Sequence, residues 1–181
     1  MKKVLVFFAN GTEEIEALTV VDILRRAGAE VTVAGVGGKE LVGSHAIRIT
    51  ADIDAESLKA LDFDMVVVPG GLPGTTHLDE SEIVDRSLTA VSEKGGYLAA
   101  ICAAPLVLGK RGYLVGKEAT CYPGFESYLK GARIPGKRVC VDGNVITGAG
   151  MGAALDFSLA LVEVLFGAEK AKALRSAVIA D

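Results

Sequence analysis

Three short runs constrain this 181-residue chain more than anything else in it: Val4-Leu-Val-Phe-Phe-Ala9, Met65-Val-Val-Val68 and Tyr97-Leu-Ala-Ala-Ile101. None alternates apolar with polar residues, so each reads as a strand buried on both faces. Helical patterns stand between them. Asn10 or Thr12 caps a helix running to about Ala27, where Gly28 stops it, and Glu13 completes a capping box with Asn10. Glu30–Val36 is a second strand, and Glu40–Val42 with Ile47–Thr50 suggests a hairpin. A helix over about Ser81–Lys94 turns Ile83, Val84, Leu88 and Val91 inward. Val139–Val141 and Val145–Thr147 flank the turn signal Asp142-Gly143-Asn144. Two helices follow, Ala153–Phe166 and Ala168 to about Ala177. Strands alternating with helices define an α/β fold with a mostly parallel sheet covered on both faces. No linker or repeat divides residues 1–181, which read as a single domain.

Composition narrows the function classes. The formal net charge of −4 and the absence of tryptophan argue against a nucleic-acid surface. The longest uncharged, mostly apolar stretch, Gly95–Gly109, is too short to span a bilayer and is broken by glycines and a proline. The start, Met1-Lys-Lys3 and six apolar residues, leads into Asn10-Gly-Thr-Glu-Glu14 and lacks a signal-peptide cleavage pattern. Cys102, Cys121 and Cys140 are far apart, with no CxxC and no Cys/His cluster, so neither a disulfide framework nor a metal site is expected. A soluble, cytoplasmic protein is the expectation.

Cys102 ends the Tyr97–Ile101 run and opens Ala103-Ala104-Pro105, which reads as strand, one-residue corner and helix start, with proline where no amide proton is needed. A thiol at a helix N-terminus is expected to fall from about 8.5 into the ~3.5–7.5 range, making the reactive thiolate. The alternative is a buried structural cysteine. Glu16 is the second anomaly. At 100° per residue, Val20, Ile23 and Ala27 fall within about 40° of it, so a carboxylate lies on an apolar stripe. Half-buried, it would have a raised pKa and could exchange a proton with a neighbouring thiol; alternatively its head reaches water at the helix end. Glu14 points to the opposite side and suits the helix dipole. His77 reads as a surface loop residue. Gly148–Gly152 reads as a strand-to-helix turn, since it lacks the Lys-Ser/Thr of a phosphate loop.

Taken together, Gly11-Thr-Glu-Glu-Ile-Glu16, Arg25-Arg-Ala-Gly28, Val66-Val-Val-Pro-Gly-Gly71, Ala99-Ala-Ile-Cys-Ala-Ala-Pro105 and Asp156-Phe157 resemble the ThiJ/PfpI superfamily. The likeness is to its DJ-one branch of Parkinson-associated deglycases and glyoxalase III-like enzymes, and it runs along essentially the whole chain. The resemblance implies a flavodoxin-like sandwich, a homodimer, no cofactor, Cys102 as reactive cysteine and Glu16 as its acidic partner. It also implies that the amides of Gly71 and Ala103 line an anion-stabilising pocket. Two departures stand out. Tyr122 replaces the histidine of human-like members and is a poor base, and His45 replaces an arginine. His45 and Cys121 are accessory candidates, Cys121 either as a resolving thiol or as a plain loop cysteine.

The resemblance supports a cofactor-independent enzyme acting on α-oxoaldehydes such as methylglyoxal or glyoxal. The activity would be of glyoxalase III (lyase) or protein deglycase (hydrolase) type, on free aldehydes or on glycated protein or nucleotide. The competing expectation is an oxidative-stress sensor or holdase in which Cys102 is oxidised without turnover. Peptidase and amidotransferase chemistry is disfavoured, because Ala103 follows Cys102 and both histidines, His45 and His77, precede it.

Overall fold

A computed structural model describes residues 1–180 of the chain. Its elements are, in order, β1 (Lys3–Ala9), α1 (Glu14–Ala27), β2 (Glu30–Val36), β3 (Glu40–Val42), β4 (Arg48–Thr50), β5 (Ile53–Asp54), β6 (Met65–Val68) and α2 (Gly74–Asp79). Then come α3 (Glu82–Glu93), β7 (Tyr97–Ile101), α4 (Pro105–Lys110), β8 (Val139–Asp142), β9 (Val145–Gly148), α5 (Ala154–Phe166) and α6 (Ala168–Ala177). Seven strands form one sheet in the order β5-β2-β1-β6-β7-β9-β8, and β3 pairs with β4 in a separate hairpin. Every pairing in the large sheet is parallel except β8 with β9 at the edge. Without the two outermost strands the order β2-β1-β6-β7-β9 is the flavodoxin-like winding.

The apolar runs do what their patterning requires. Along β1, Val4, Val6 and Phe8 enter the core beneath α1, α5 and α6, while Leu5, Phe7 and Ala9 enter the core beneath α3 and α4. Each strand therefore serves both layers, and a polar residue in either register would be buried. Gly28, at φ 95°, ends α1 by donating to the carbonyls of Arg25 and Leu24, the left-handed stop that glycine makes without strain.

The expectations at the start of α1 and at His77 are corrected. The cap of α1 is Glu13, whose carboxylate accepts from the Glu16 amide at 2.7 Å. Asn10 instead accepts from Val42 N in the hairpin, and Thr12 Oγ1 accepts from Ala9 N. His77 belongs to α2, a short helix whose sequence reads as turn because it begins Pro73-Gly74. The two-residue β5 is too short to show any periodicity in the sequence.

Candidate active site at the Cys102 elbow

In an open α/β sheet the carboxyl ends of the strands are where ligands bind. Three chain segments leave the sheet there side by side: Asn10–Glu13 after β1, Pro69–Pro73 after β6, and Cys102 after β7. Cys102 adopts φ 65°, left-handed backbone on a non-glycine residue, a conformation costing about 1–2 kcal/mol. The surroundings hold it there. Its amide donates to Gly148 O at 2.9 Å and its carbonyl accepts from Tyr122 N at 2.8 Å. Gly70 leaves the room the elbow needs, since a Cβ on it would lie 2.6 Å from both Cys102 Cβ and Glu16 Oε2.

Glu16 is fully buried in the first turn of α1. Oε2 accepts from the Gly70 amide at 2.9 Å. Among the described residues Oε1 has no hydrogen-bond partner, and the Cys102 thiol is its neighbour. Burial, only partly offset by the hydrogen bonds with Cys102 and Gly70, pushes Glu16 up to about 7. Burial and then the adjacent Glu16 carboxylate push the Cys102 thiol up to about 12, against the lowering effect of the Ala103 and Gly71 amides. The expectation of a thiol lowered by a helix start is thus not met. The helix after the elbow has six residues and begins only at Pro105, too weak a dipole to outweigh a buried like charge. Thiol and carboxyl titrate as a pair, whose first proton leaves near neutrality.

The remaining candidates divide. Gly71 and Ala103 present their amides to the sulfur. Tyr122 anchors the elbow through its backbone, and its half-exposed side chain passes over Gly150. There it lines a pocket of about 480 Å³ with Pro123, Arg138, Ala149 and Met151. Cys121 is buried in the opposite core from the one Cys102 packs against. Burial, and then Glu126, push its thiol up to about 11. The sheet separates the two side chains, which disfavours direct pairing.

His45 sits on Glu14, in a cluster that no local sequence pattern signals. Glu14 does not point to solvent. The turn Gly43–His45 folds over it, with His45 N at 2.7 Å, His45 Nδ1 at 2.9 Å and Ser44 Oγ at 3.3 Å from its carboxylate oxygens. Burial would raise Glu14, but those hydrogen bonds from His45 prevail and hold it at about 2. Glu13, Glu14 and His45 bring ligand-type atoms within 4.8 Å of one another. These groups already serve the helix cap and the turn.

A flavodoxin-like sandwich with a left-handed cysteine elbow beside a buried glutamate defines a class of α/β proteins built around one thiol. The model of the DJ-1/PfpI family matches residues 2–164, and the chain belongs to that family. It is 43% identical to Protein dj-1beta of Drosophila melanogaster over 93% of this chain and 92% of that one. It is 34% identical to the glutathione-independent glyoxalase DJR-1.2 of Caenorhabditis elegans, over 90% and 87%. Oxidized DJ-1 of Toxoplasma gondii superimposes with a TM-score of 0.95 at 35% identity, covering 99% and 98% of the two chains. No described helix is long and apolar enough to cross a membrane.

Proposed function

We propose that this protein converts α-oxoaldehydes such as methylglyoxal and glyoxal to hydroxy acids without a cofactor, through Cys102 and Glu16. One observation carries the reading: the fully buried Glu16 carboxylate and the left-handed Cys102 elbow meet across Gly70, where a Cβ would lie 2.6 Å from each, and burial raises Glu16 to about 7. A proton-transfer group poised near the working pH suits a reaction that moves several protons. In the singly protonated pair, shifting the proton from sulfur to Glu16 creates the nucleophile and removes the like charge that opposes it.

The thiolate attacks the aldehyde carbon, forming the C–S bond, and the carbonyl oxygen takes up the electron pair near the Gly71 and Ala103 amides. Protonation of that oxygen by Glu16 gives a hemithioacetal. Glu16 then removes the hydrogen on the former aldehyde carbon, giving an enediolate; the hydroxyl proton on that carbon's oxygen passes to the neighbouring oxygen, and Glu16 returns the carbon-bound proton to the adjacent carbon. The first carbon is thereby oxidised to a thioester while its neighbour is reduced to a carbinol. Water cleaves the thioester, releasing lactate from methylglyoxal or glycolate from glyoxal and restoring the thiol. The same attack on an early adduct of methylglyoxal with a protein or nucleotide amine is deglycase chemistry. The worm relative's name as a glutathione-independent glyoxalase supports this class.

Lactate formed from methylglyoxal without glutathione tests the reading. Turnover should vanish in Cys102→Ser, and an unimpaired variant would overturn the mechanism. A second reading rests on the oxidized Toxoplasma gondii relative. Hydrogen peroxide would convert Cys102 to a sulfinate held by the same amides and by protonated Glu16. Selective gain of two oxygen atoms at Cys102, with no aldehyde consumed, would favour a sensor. Exposed Ile15, Leu18, Val42 and Ile47 on α1 and the neighbouring hairpin support a homodimer, which sedimentation would check. Three free cysteines suit a reducing cytoplasm.

A further inference from the structure

The pocket lined by Tyr122 and Arg138 abuts the elbow by strand register. Ile101 pairs with Gly148, and Val139 pairs with the same Gly148 from the other side. One step beyond, Ala149 N donates to Arg138 O at 2.9 Å, while Cys102 N donates to Gly148 O at 2.9 Å. Cys102, Ala149 and Arg138 therefore stand in one row across neighbouring chains, with strand spacing placing the outer two Cα atoms about 10 Å apart. Both side chains use the same face. Cys102 packs on the α1/α5 core, and the Arg138 guanidinium rests on α5, hydrogen-bonding Gly152 O and lying 3.5 Å from Asp156.

Among the described residues the charge there does not cancel. Asp156 is shared between Arg138 at 3.5 Å and Arg175 at 3.0 Å, leaving two cations on one carboxylate. Neighbouring Lys137 is paired with Glu118 at 2.8 Å. Arg138 keeps 66% of its side chain exposed, so its planar donor face is open on the pocket side. A guanidinium of this kind takes a carboxylate through two parallel hydrogen bonds, and its three-carbon stem can swing across the intervening strand.

We infer that Arg138 is an anion-binding arm beside the Cys102 elbow and selects carbonyl substrates carrying a carboxylate a few bonds from the reacting carbon. This deepens the proposed function by naming a substrate class, and it rests on that reading's assignment of Cys102 as the reacting atom. Glu16 handles the proton, the Gly71 and Ala103 amides face the carbonyl oxygen, and Arg138 holds the far end of the molecule.

The test needs no turnover. Cys102 is alkylated with iodoacetate, which is anionic, and with iodoacetamide, which is neutral, at low ionic strength and about pH 8. Mass spectrometry gives the ratio of the two rates, in which the thiol's own reactivity cancels. In Arg138→Gln the iodoacetate-to-iodoacetamide ratio should fall about fivefold, the upper end of what one exposed charge pair is worth. Arg138→Lys should keep most of it. Asp156→Asn should raise the ratio, because the carboxylate that competes for Arg138 is gone. A ratio unchanged in Arg138→Gln, or lowered in Asp156→Asn, overturns the inference. A protein that leaves methylglyoxal untouched yet shows the fivefold fall would retain the anion arm and lose only the enzymatic reading.

Discussion

Glu14 and Glu16 stand two residues apart in the first turn of one helix, and both carboxylates are buried. One is held at about 2 and the other at about 7. Each is also pressed against a glycine. A Cβ on Gly43 would come within 2.2 Å of Glu14 Oε1, and one on Gly70 within 2.6 Å of Glu16 Oε2. The difference lies in what surrounds them. Glu14 sits under a thin turn that supplies an amide, an imidazole and a hydroxyl. Glu16 lies deeper, with one amide and a thiol. Burial with full hydrogen bonding makes a clamp, and burial with sparse hydrogen bonding makes a proton store.

The largest separation between the two should appear in turnover. Glu16→Gln removes the proton carrier and should lower methylglyoxal conversion by about 10²–10⁴-fold. Glu14→Gln should change it by less than about threefold, because Glu14 faces the hairpin rather than the thiol. Equal losses in the two variants would break the comparison.

Stability against pH should separate them next. Glu16 is raised from 4.5 to about 7, so its contribution is fully present below about pH 4.5 and is lost as pH rises through about 7. Some 2.5 pH units correspond to about 3 kcal/mol. Glu16→Gln escapes that loss. It should match the wild type near pH 4 and exceed it by up to about 3 kcal/mol near pH 8 in urea unfolding. No gain at pH 8 would show that the site does not resist the charge. Activity and stability would then be opposed at one residue, as befits a strained functional position.

Gly43→Ala addresses the other carboxylate. Its methyl group would displace Glu14 from the His45 and Ser44 donors, leaving buried polar groups unpaired at a cost of about 1–3 kcal/mol. A loss of that size at neutral pH in urea unfolding is expected, and an unperturbed midpoint would mean the turn simply shifts to make room.

The sheet and the glutamate on the apolar stripe were legible in the sequence because each follows from periodicity within one segment. Val4–Ala9 could only be a strand buried on both faces, and Glu16 lies on the line of Val20, Ile23 and Ala27. The corner at Cys102 was legible from the small residues on either side of it. What escaped depends on contacts between distant segments. Glu14 looks solvent-facing on a helical projection, and its cover comes from a hairpin 31 residues further on. The direction of the Cys102 shift depends first on burial under distant segments and then on the Glu16 carboxylate, which a helix much earlier in the chain supplies. A helix that begins Pro-Gly offers no local sign of itself.

The smallest effect expected, and the sharpest for the comparison, belongs to His45→Ala. The ring's hydrogen bond to Glu14 and that residue's charge raise His45, and the same contact lowers Glu14. The two signs bound a window. Glu14's contribution is present above about pH 4.5 and lost as pH falls through about 2. The His45 contribution is present below its unfolded value of 6.5 and lost as pH rises through its higher folded value. The difference in Tm between wild type and variant should therefore be a low plateau across mildly acidic pH, closing toward both extremes. Because the His45 backbone amide also holds Glu14, only part of the clamp is removed. Glu13 connects the two carboxylates, lying 3.9 Å from His45 Nδ1 and capping the Glu16 amide at 2.7 Å. If the clamp and the proton store are separate, the pH profile of Cys102 alkylation should move by less than about 0.3 units in His45→Ala, since an exposed charge acting through an intermediate group is largely screened. A displacement approaching one unit would mean that Glu13 transmits charge between them, and that Glu14 and Glu16 belong to one titrating network.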